Sequence, residues 1–539
     1  MVYGRPHRQE ELERSDSWAF AQRPSRNFQR RTAYRLWCGV TLFLLVFASG
    51  CDRSSRPTSS NLRTLTVGVP EAFTGAEFSL QNLASNMSLE GLAQLSPDGR
   101  ALPKLAQDWS WDPGGLTLRV NLRKDVTFHD GTPLTASLVA DILRKAIARP
   151  SNRALYTSFA DVREVHAVGD LQVAFELERH STFLPEDLEI PLEIGDPGVG
   201  TGAYRIMTRD PKEIRLAGNE HYYLGAPEIN QVTLRPFGAL RTAWSSLLRG
   251  EVDMVTDVPP DAVEFVSNDQ VQVVSFERRY QYVIALNTRR PPFNMPIVRK
   301  ALNLAVDRPA LIKDILQGHG SPSTGPVWPH HWAYDSTLPG FAFDPALATS
   351  LLEGSGFHER PVSNGPRARL RFTCLIPANF SIVERIGLDV QKQLYDIGVD
   401  MRFEVVPPED LAARTRTGQY DALLLEMLGG PTLGRAYMFW GSAHSFQGLN
   451  AFGYENPLTE RLFGVLRTTT NEGVIRSATR SLQQAMLENP PALFLAWNER
   501  SRAVRREFQI VKDAGRDPAD PVYTIWRWHR ASSSTVGTQ

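Results

Sequence analysis

Blocks of alternating and helically spaced apolar positions run along most of the chain. In LTLRVNLR (116–123), Leu116, Leu118, Val120 and Leu122 share one side, the period-two mark of a half-buried strand. LTVGV (65–69), LQVAFELE (171–178), EIRLAG (213–218), NQVTLRPF (230–237) and QYVIALN (281–287) also predict strands. TASLVADILRKAI (135–147) instead gathers Leu138, Val139, Ile142, Leu143, Ala146 and Ile147 at helical spacing, with Thr135 placed as the cap. WSSLLRGEVDMV (244–255) predicts a short helix, a glycine stop and a strand. VRKALNLAVDRPALIKDIL (298–316) predicts one or two helices, and FDPALATSLLEGSGF (343–357) a helix closed at Gly354 or Gly356. RLRFTCLI, a helix over 382–396, MRFEVV, a short helix from Glu409 and YDALLLEML then alternate as β-α-β-α-β. That order predicts a parallel sheet with crossover helices. ATRSLQQAMLEN (helix) and ALFLAW (492–497, strand) close an α/β pattern.

The N-terminal part differs. Residues 1–35 are polar and arginine-rich, and 36–48 read LWCGVTLFLLVFA. That run falls short of the roughly 20 residues a membrane-spanning helix needs and matches a signal-peptide apolar region behind a positive flank. ASGC (48–51) follows, similar to the lipobox of bacterial lipoproteins, with Ala48 where leucine is usual and Cys51 as the lipidation site. An uncleaved anchor and a buried helix are the alternatives. DRSSRPTSSN (52–61) reads as a flexible tether, and 531–539 as a tail.

At 539 residues the chain exceeds one compact core, since a domain takes ~150 residues. Acidic and basic residues balance at 59 each, and no basic stripe is interleaved with aromatics, which argues against a nucleic-acid partner. Of three cysteines, Cys374 stands alone beyond the N-terminal part and reads as a buried hydrophobe. No CxxC, HExxH or Cys/His cluster supports a metal, and no cofactor motif is present. The adjacent His330 and His331 read as a loop feature rather than a chelating pair. VTFHDGTPLTA (126–136) offers a catalytic His129–Asp130 pair, a metal ligand or a tight turn. Asp130-Gly131 before Pro133 and a helix start favours the turn. GxSxG is absent, and GTGAY (200–204) lacks the Lys-Ser/Thr of a phosphate loop.

An ordered set of short motifs runs from 65 to 497. It comprises GLAQLSPDG, P.LA..W, LR.DV.FHDGTP.TA, GTGAY, YY.G.P.I, L..GEVD, N....PF....VR.AL..AVDR, the FDP…LLE.SGF helix and QL..IGVD. In this order the set resembles extracellular solute-binding protein family 5, the peptide/nickel-type receptors of ABC importers. The resemblance implies a two-lobed periplasmic-binding-protein-like fold (type II, class C) with an inserted domain and a hinge. Lobe I would be discontinuous (62–90, 195–287, 498–530), the inserted domain would span 91–194 and lobe II 288–497. The chain crossings would lie near Asn287 and Asn498. It further implies an exported, lipid-anchored monomer, not an enzyme, that closes on an oligopeptide or similar solute and delivers it to permease subunits. A ligand sensor on the same fold and an exported hydrolase are the other readings.

In peptide-binding members a carboxylate after the strand resembling YDALLLEML holds the peptide's amino terminus. Here Met427 takes the place of the motif tryptophan and Gly430 that of the aspartate, so that anchor is missing, with Glu426 the one nearby substitute. At PANFS (377–381) the resemblance places Asn379 and Phe380 where dipeptide receptors carry arginine and tyrosine. Trp328, Trp332, Tyr437 and Trp440 are candidate stacking platforms, with core packing the alternative for each.

Overall fold

The computed structural model describes residues 63–70, 79–195, 198–362, 365, 367–378, 380–442, 450, 452–511 and 520–530. Cys51, the tether, the tail and Asn379 lie outside them. Ten of the strands in the main sheet run in one order, Val399–Val406, Leu370–Pro377, Ala422–Leu428, Val271–Leu286, Ala492–Arg505, Met254–Val258, Thr64–Pro70, Gln231–Phe237, Glu213–Gly218 and Tyr204–Asp210. The segment Gly320–Pro322 pairs onto Ala492–Arg505 beside them. This is the two-lobed α/β fold with a hinge and an inserted domain.

Two long antiparallel strands join the halves. Val271–Leu286 pairs with Ala492–Arg505 from Val271↔Arg505 to Ala285↔Ala492. One end of this ribbon borders Met254–Val258 through Ser501–Val504, and the other borders Ala422–Leu428 through Tyr280–Leu286. The register shifts between Glu277 and Gln281, so Arg278, Arg279 and Tyr280 form a bulge where one half gives way to the other. The family resemblance implies a first crossing near Asn287. The strand runs on past that bulge to Leu286, and Asn287 follows it, donating its amide to the Tyr420 carbonyl at 3.0 Å.

In the half with the β-α-β-α-β order, Leu370–Pro377 pairs in parallel with both Val399–Val406 and Ala422–Leu428, as the crossover helices require. Helix Ser381–Asp396 buries Val383, Ile386, Val390 and Leu394 at i, i+3, i+7 and i+11 against that sheet. The segment 298–316 forms two helices, Pro296–Leu304 and Arg308–Asp314, because Asp307 caps the second by accepting from the Ala310 amide at 3.0 Å. A separate antiparallel sheet of Ala106–Trp111, Thr117–Leu122, Gln172–Leu177 and Val162–Val168 packs under helix Ala136–Ala148 around its own core. Leu118, Val120 and Leu122 are buried there, while Leu116 precedes the strand and is exposed. Thr135 caps the helix, accepting from the Leu138 amide at 3.3 Å.

VTFHDGTPLTA is a turn. The Phe128 amide donates to the Thr132 carbonyl at 2.8 Å, Asp130 Oδ1 accepts from the Thr132 amide at 2.9 Å, and Gly131 has φ +89°, which favours glycine. His129 Nε2 bonds the Gly202 carbonyl at 2.9 Å, tying the turn to GTGAY, and burial holds its imidazole below the ordinary range.

Candidate functional site

A cavity of about 330 Å³ opens between the halves. Leu89–Gly91 and Ala93–Leu95 border it on one side, the bulge Arg278–Tyr280 with Phe276 forms its floor, and Leu428, Gly430, Pro431 and Arg435 close the other side. Tyr156 and Tyr523 add aromatic surface. A regular strand turns alternate side chains away. The bulge breaks that alternation, so three successive residues border one space.

Behind the floor lies a charged cluster. Glu426 Oε1 accepts from Arg278 Nη1 at 2.7 Å and Arg500 Nη2 at 3.3 Å, and Asn498 Nδ2 donates to the same oxygen. Arg500 also meets Asp257 at 3.1 Å. Burial alone would raise the Glu426 carboxyl, but the charges of Arg500 and Arg278, with the hydrogen bonds from Arg500 and Asn498, outweigh it and hold the group below the usual carboxylate range. Glu426 is therefore bound internally, and its side chain is only 8 % exposed. The remaining acids of the wall are also engaged. Glu90 pairs with Lys104 Nζ at 3.0 Å and accepts from Tyr222 Oη at 2.8 Å and Thr201 Oγ1 at 3.0 Å. Both Asp520 oxygens take Arg502 donors at 2.6 Å.

Across the cavity mouth the halves touch along a seam. The turn Ser96–Arg100 sits on residues 328–332: Trp328 Nε1 donates to the Pro97 carbonyl at 3.1 Å and the Trp332 amide to the Asp98 carbonyl at 3.1 Å. Gly99 has φ +83°, and a Cβ there would overlap the Pro431 carbonyl and stand 2.8 Å from His331 Cδ2. Arg100 lies 4.3 Å over the Trp332 ring and bonds Glu472 at 2.7 Å. Nearby, Glu186, Asp187 and Glu189 face Thr432, Gly434 and Arg435. Arg435 bonds Glu189 at 2.9 Å and the Leu155 carbonyl at 2.7 Å. Burial, with Asp187 alongside, pushes the Glu186 carboxyl well above its ordinary range. Burial also raises Asp187 to about 6 against the hydrogen bonds from Ser158.

The residues singled out in the sequence scatter. Gly430 borders the cavity, and a Cβ on it would lie 3.1 Å from Trp328 Cβ and Cγ; a side chain there would press on the indole. Trp328 is buried, crossing Trp497 edge-on at 4.8 Å between centroids. Trp332 is half-buried in the seam, between Arg100 and Arg476. Met427 faces the core on the opposite side of its strand from Glu426, and Phe380 packs against the core beside helix Ser381–Asp396. Tyr437 is buried beside Phe183 and Phe463, and its hydroxyl accepts from Arg467 at 3.1 Å. Trp440 is fully enclosed, stacked on Phe452 and edge-on to Phe494. For Tyr437 and Trp440 the core alternative is what the packing shows, because apolar rings enclose both. His331 is buried, its Nδ1 accepts from the Ala333 amide at 3.1 Å, and burial lowers its imidazole to about 4. Among the described residues, no group of three or more His, Cys, Asp or Glu could hold a metal ion.

Sequence reasoning missed Arg278, Arg279 and Tyr280. Their signal was the polar run ERRY inside a segment apolar at both ends.

Comparison with known proteins agrees with this architecture. The model of the bacterial extracellular solute-binding proteins, family 5 Middle, matches residues 100–447. The glutathione-binding protein GsiB of Pectobacterium atrosepticum is 25 % identical over 458 residues, covering 78 % of this chain and 85 % of that one. The probable di/tripeptide-binding protein 5 of Pseudomonas aeruginosa is 25 % identical over 414 residues, 69 % of this chain and 77 % of its own. The oligopeptide-binding protein AppA of Bacillus subtilis, solved with a nonapeptide, superposes with a TM-score of 0.71 at 20 % identity, over 87 % of this chain and 99 % of that one. With the family model spanning well over half the chain, and the two-lobed cleft in place, the chain belongs to the bacterial extracellular solute-binding proteins, family 5.

Proposed function

We propose that this protein is the exported, lipid-anchored receptor of an ABC importer, a monomer that captures a small peptide-like solute between its halves and presents the closed form to a permease. The observation that carries this reading is the cavity bordered by both halves, with the two-strand ribbon at its floor and the seam across its mouth. A ligand that touches both walls favours closure by its differential affinity for the closed state. The relatives named above bind glutathione, di- or tripeptides or a nonapeptide. A cavity of about 330 Å³ lies at the small end of the ~300–1,000 Å³ range of ligand pockets, which favours the shorter solutes. Gly430 and Trp328 are proposed as wall elements. The hinge is placed at the bulge 278–280 and its partner residues 498–500. The inserted domain is placed at 91–194 and the anchor at Cys51.

The test has two arms. Titration with a peptide, glycan and organic-acid panel should raise the melting temperature and shrink the radius of gyration in scattering. No response to any solute, with an unchanged profile, overturns the receptor reading. Radiolabelled palmitate should enter the wild-type chain and not Cys51→Ser. Equal labelling removes the anchor.

A further inference from the structure

Resting on that receptor reading, we infer that the solute meets the cavity as an uncharged molecule, with amide or hydroxyl groups and no ionised end, and that the neutral side chains of Asn86, Gln94 and Tyr156 hold it. Two observations carry the inference. The first is that the charges bordering the cavity already answer to one another inside the protein. Glu90 pairs with Lys104, Glu189 with Arg435, Arg278 with Glu426 and Asp520 with Arg502. Arg279, the remaining charged residue among those described at the lining, is not free either. An ammonium or carboxylate group entering here must break one of these pairs or stay without a counter-charge, and either opposes binding.

The second observation is which polar groups are open. Asn86, Gln94 and Tyr156 all border the cavity, and among the described residues neither amide nor the phenol hydroxyl has a hydrogen-bond partner. The local fold leaves them so. Asn86 lies on the exposed face of helix Leu80–Ser88, which buries Leu83, Ala84 and Met87. In the short hairpin of Ala93–Leu95 with Ala101–Pro103, Ala93 and Leu95 are buried and Gln94 between them is half-buried. Tyr156 follows helix Pro150–Leu155. Its ring packs 5.2 Å from that of Phe159, with the Arg435 guanidinium 5.6 Å away on the ring, so the side chain is positioned without using its hydroxyl. Burial pushes the phenol up, so it stays protonated. A phenol and two primary amides each offer a donor and an acceptor. They complement a peptide amide or a sugar hydroxyl, and none of them neutralises an ion.

Isothermal titration with one dipeptide in four forms tests this: free, N-acetylated, C-terminally amidated and blocked at both ends, with a neutral disaccharide as a fifth probe. The doubly blocked form should bind more tightly than the free dipeptide, by ~10-fold, with the singly blocked forms between them. Tyr156→Phe and Gln94→Leu should each weaken the neutral ligand by ~5-fold or more. Both variants should melt at the wild-type temperature without ligand, because neither lost group has a partner among the described residues; a merely structural role would lower it. Gln94 and Tyr156 lie in separate segments, so if one variant melts lower the other still decides. Binding of the disaccharide alone also supports the inference and identifies hydroxyls as the groups recognised. A free dipeptide that binds as tightly as the blocked form or tighter, or wild-type affinity in both variants, overturns it and leaves the receptor reading standing, as does silence toward the neutral probes while a charged solute binds. Silence toward all solutes with unchanged scattering counts against the receptor reading itself.

Discussion

The hinge cluster and the acidic part of the seam solve one problem, buried charge, in opposite ways. At the hinge, Glu426 and Asp257 meet Arg278 and Arg500, and the balance holds Glu426 ionised. At the seam, Glu186, Asp187 and Glu189 share Arg435, and burial holds Glu186 and Asp187 toward their neutral forms. The signs of the pH dependence therefore differ. Glu426 is more acidic in the folded protein than in the unfolded chain, so its contribution is present above the ordinary carboxylate range and is lost as pH falls. Asp187 and Glu186 are less acidic when packed. Their contribution is full below about pH 4 and is lost as pH rises, through about 6 for Asp187. In the proposed receptor the hinge must survive every state of the molecule, whereas the seam has to open.

The comparison can be broken most forcefully at the hinge. Glu426→Gln leaves Arg278 and Arg500 facing each other, and stability should fall by about 3–5 kcal/mol, the usual result of removing one partner of a buried pair. Calorimetry checks this, and an unchanged melting temperature would mean that solvent already screens the cluster. Next comes Gly99→Val, which puts a branched side chain at a left-handed position against Pro431 and His331. It should cost about 1–3 kcal/mol of closure, seen as solute affinity weakened by ~5-fold or more and a ligand-bound radius of gyration that stays large. Third, closure measured by scattering should weaken between about pH 4 and 7, and Glu186→Gln should flatten that slope. An identical slope in the variant would move the titration elsewhere. The smallest effect belongs to Arg100→Ala. Its pair with Glu472 is largely exposed, so closure should change by no more than ~1 kcal/mol.

Elements with one apolar face were legible from spacing. The helix Ala136–Ala148, its Thr135 cap and the parallel strands after residue 369 all follow local pattern, whereas 298–316 reads as one or two helices and is divided by the Asp307 cap. The long strands were not. ALFLAW ends at Trp497 in the sequence pattern, since Asn498, Glu499, Arg500 and Arg502 look like loop residues, yet the strand runs on to Arg505, with Arg502 buried against Asp520 and Arg500 half-buried against Asp257. ERRY hid the other strand for the same reason. Periodicity treats charge as exposed, whereas here charge is paired internally across more than 200 positions in sequence, as between Asp257 and Arg500. Part of the site was visible as a departure, Gly430 where an aspartate was expected. The indole that a Cβ on Gly430 would press against, that of Trp328, comes from a segment about a hundred residues earlier and leaves no local trace.

The ribbon of Val271–Leu286 and Ala492–Arg505 also limits how the molecule can move. Two flexible tethers would let the halves slide, twist and separate independently. Two extended segments bonded edge to edge resist stretching and shear, leaving one easy deformation, a flexing about the irregular stretch at 278–280. Such a flexure behaves as a lever whose short arm is at the floor and whose long arm reaches the mouth. In the proposed receptor, a small adjustment around a captured solute would thereby be magnified at the rim, the part a permease would meet.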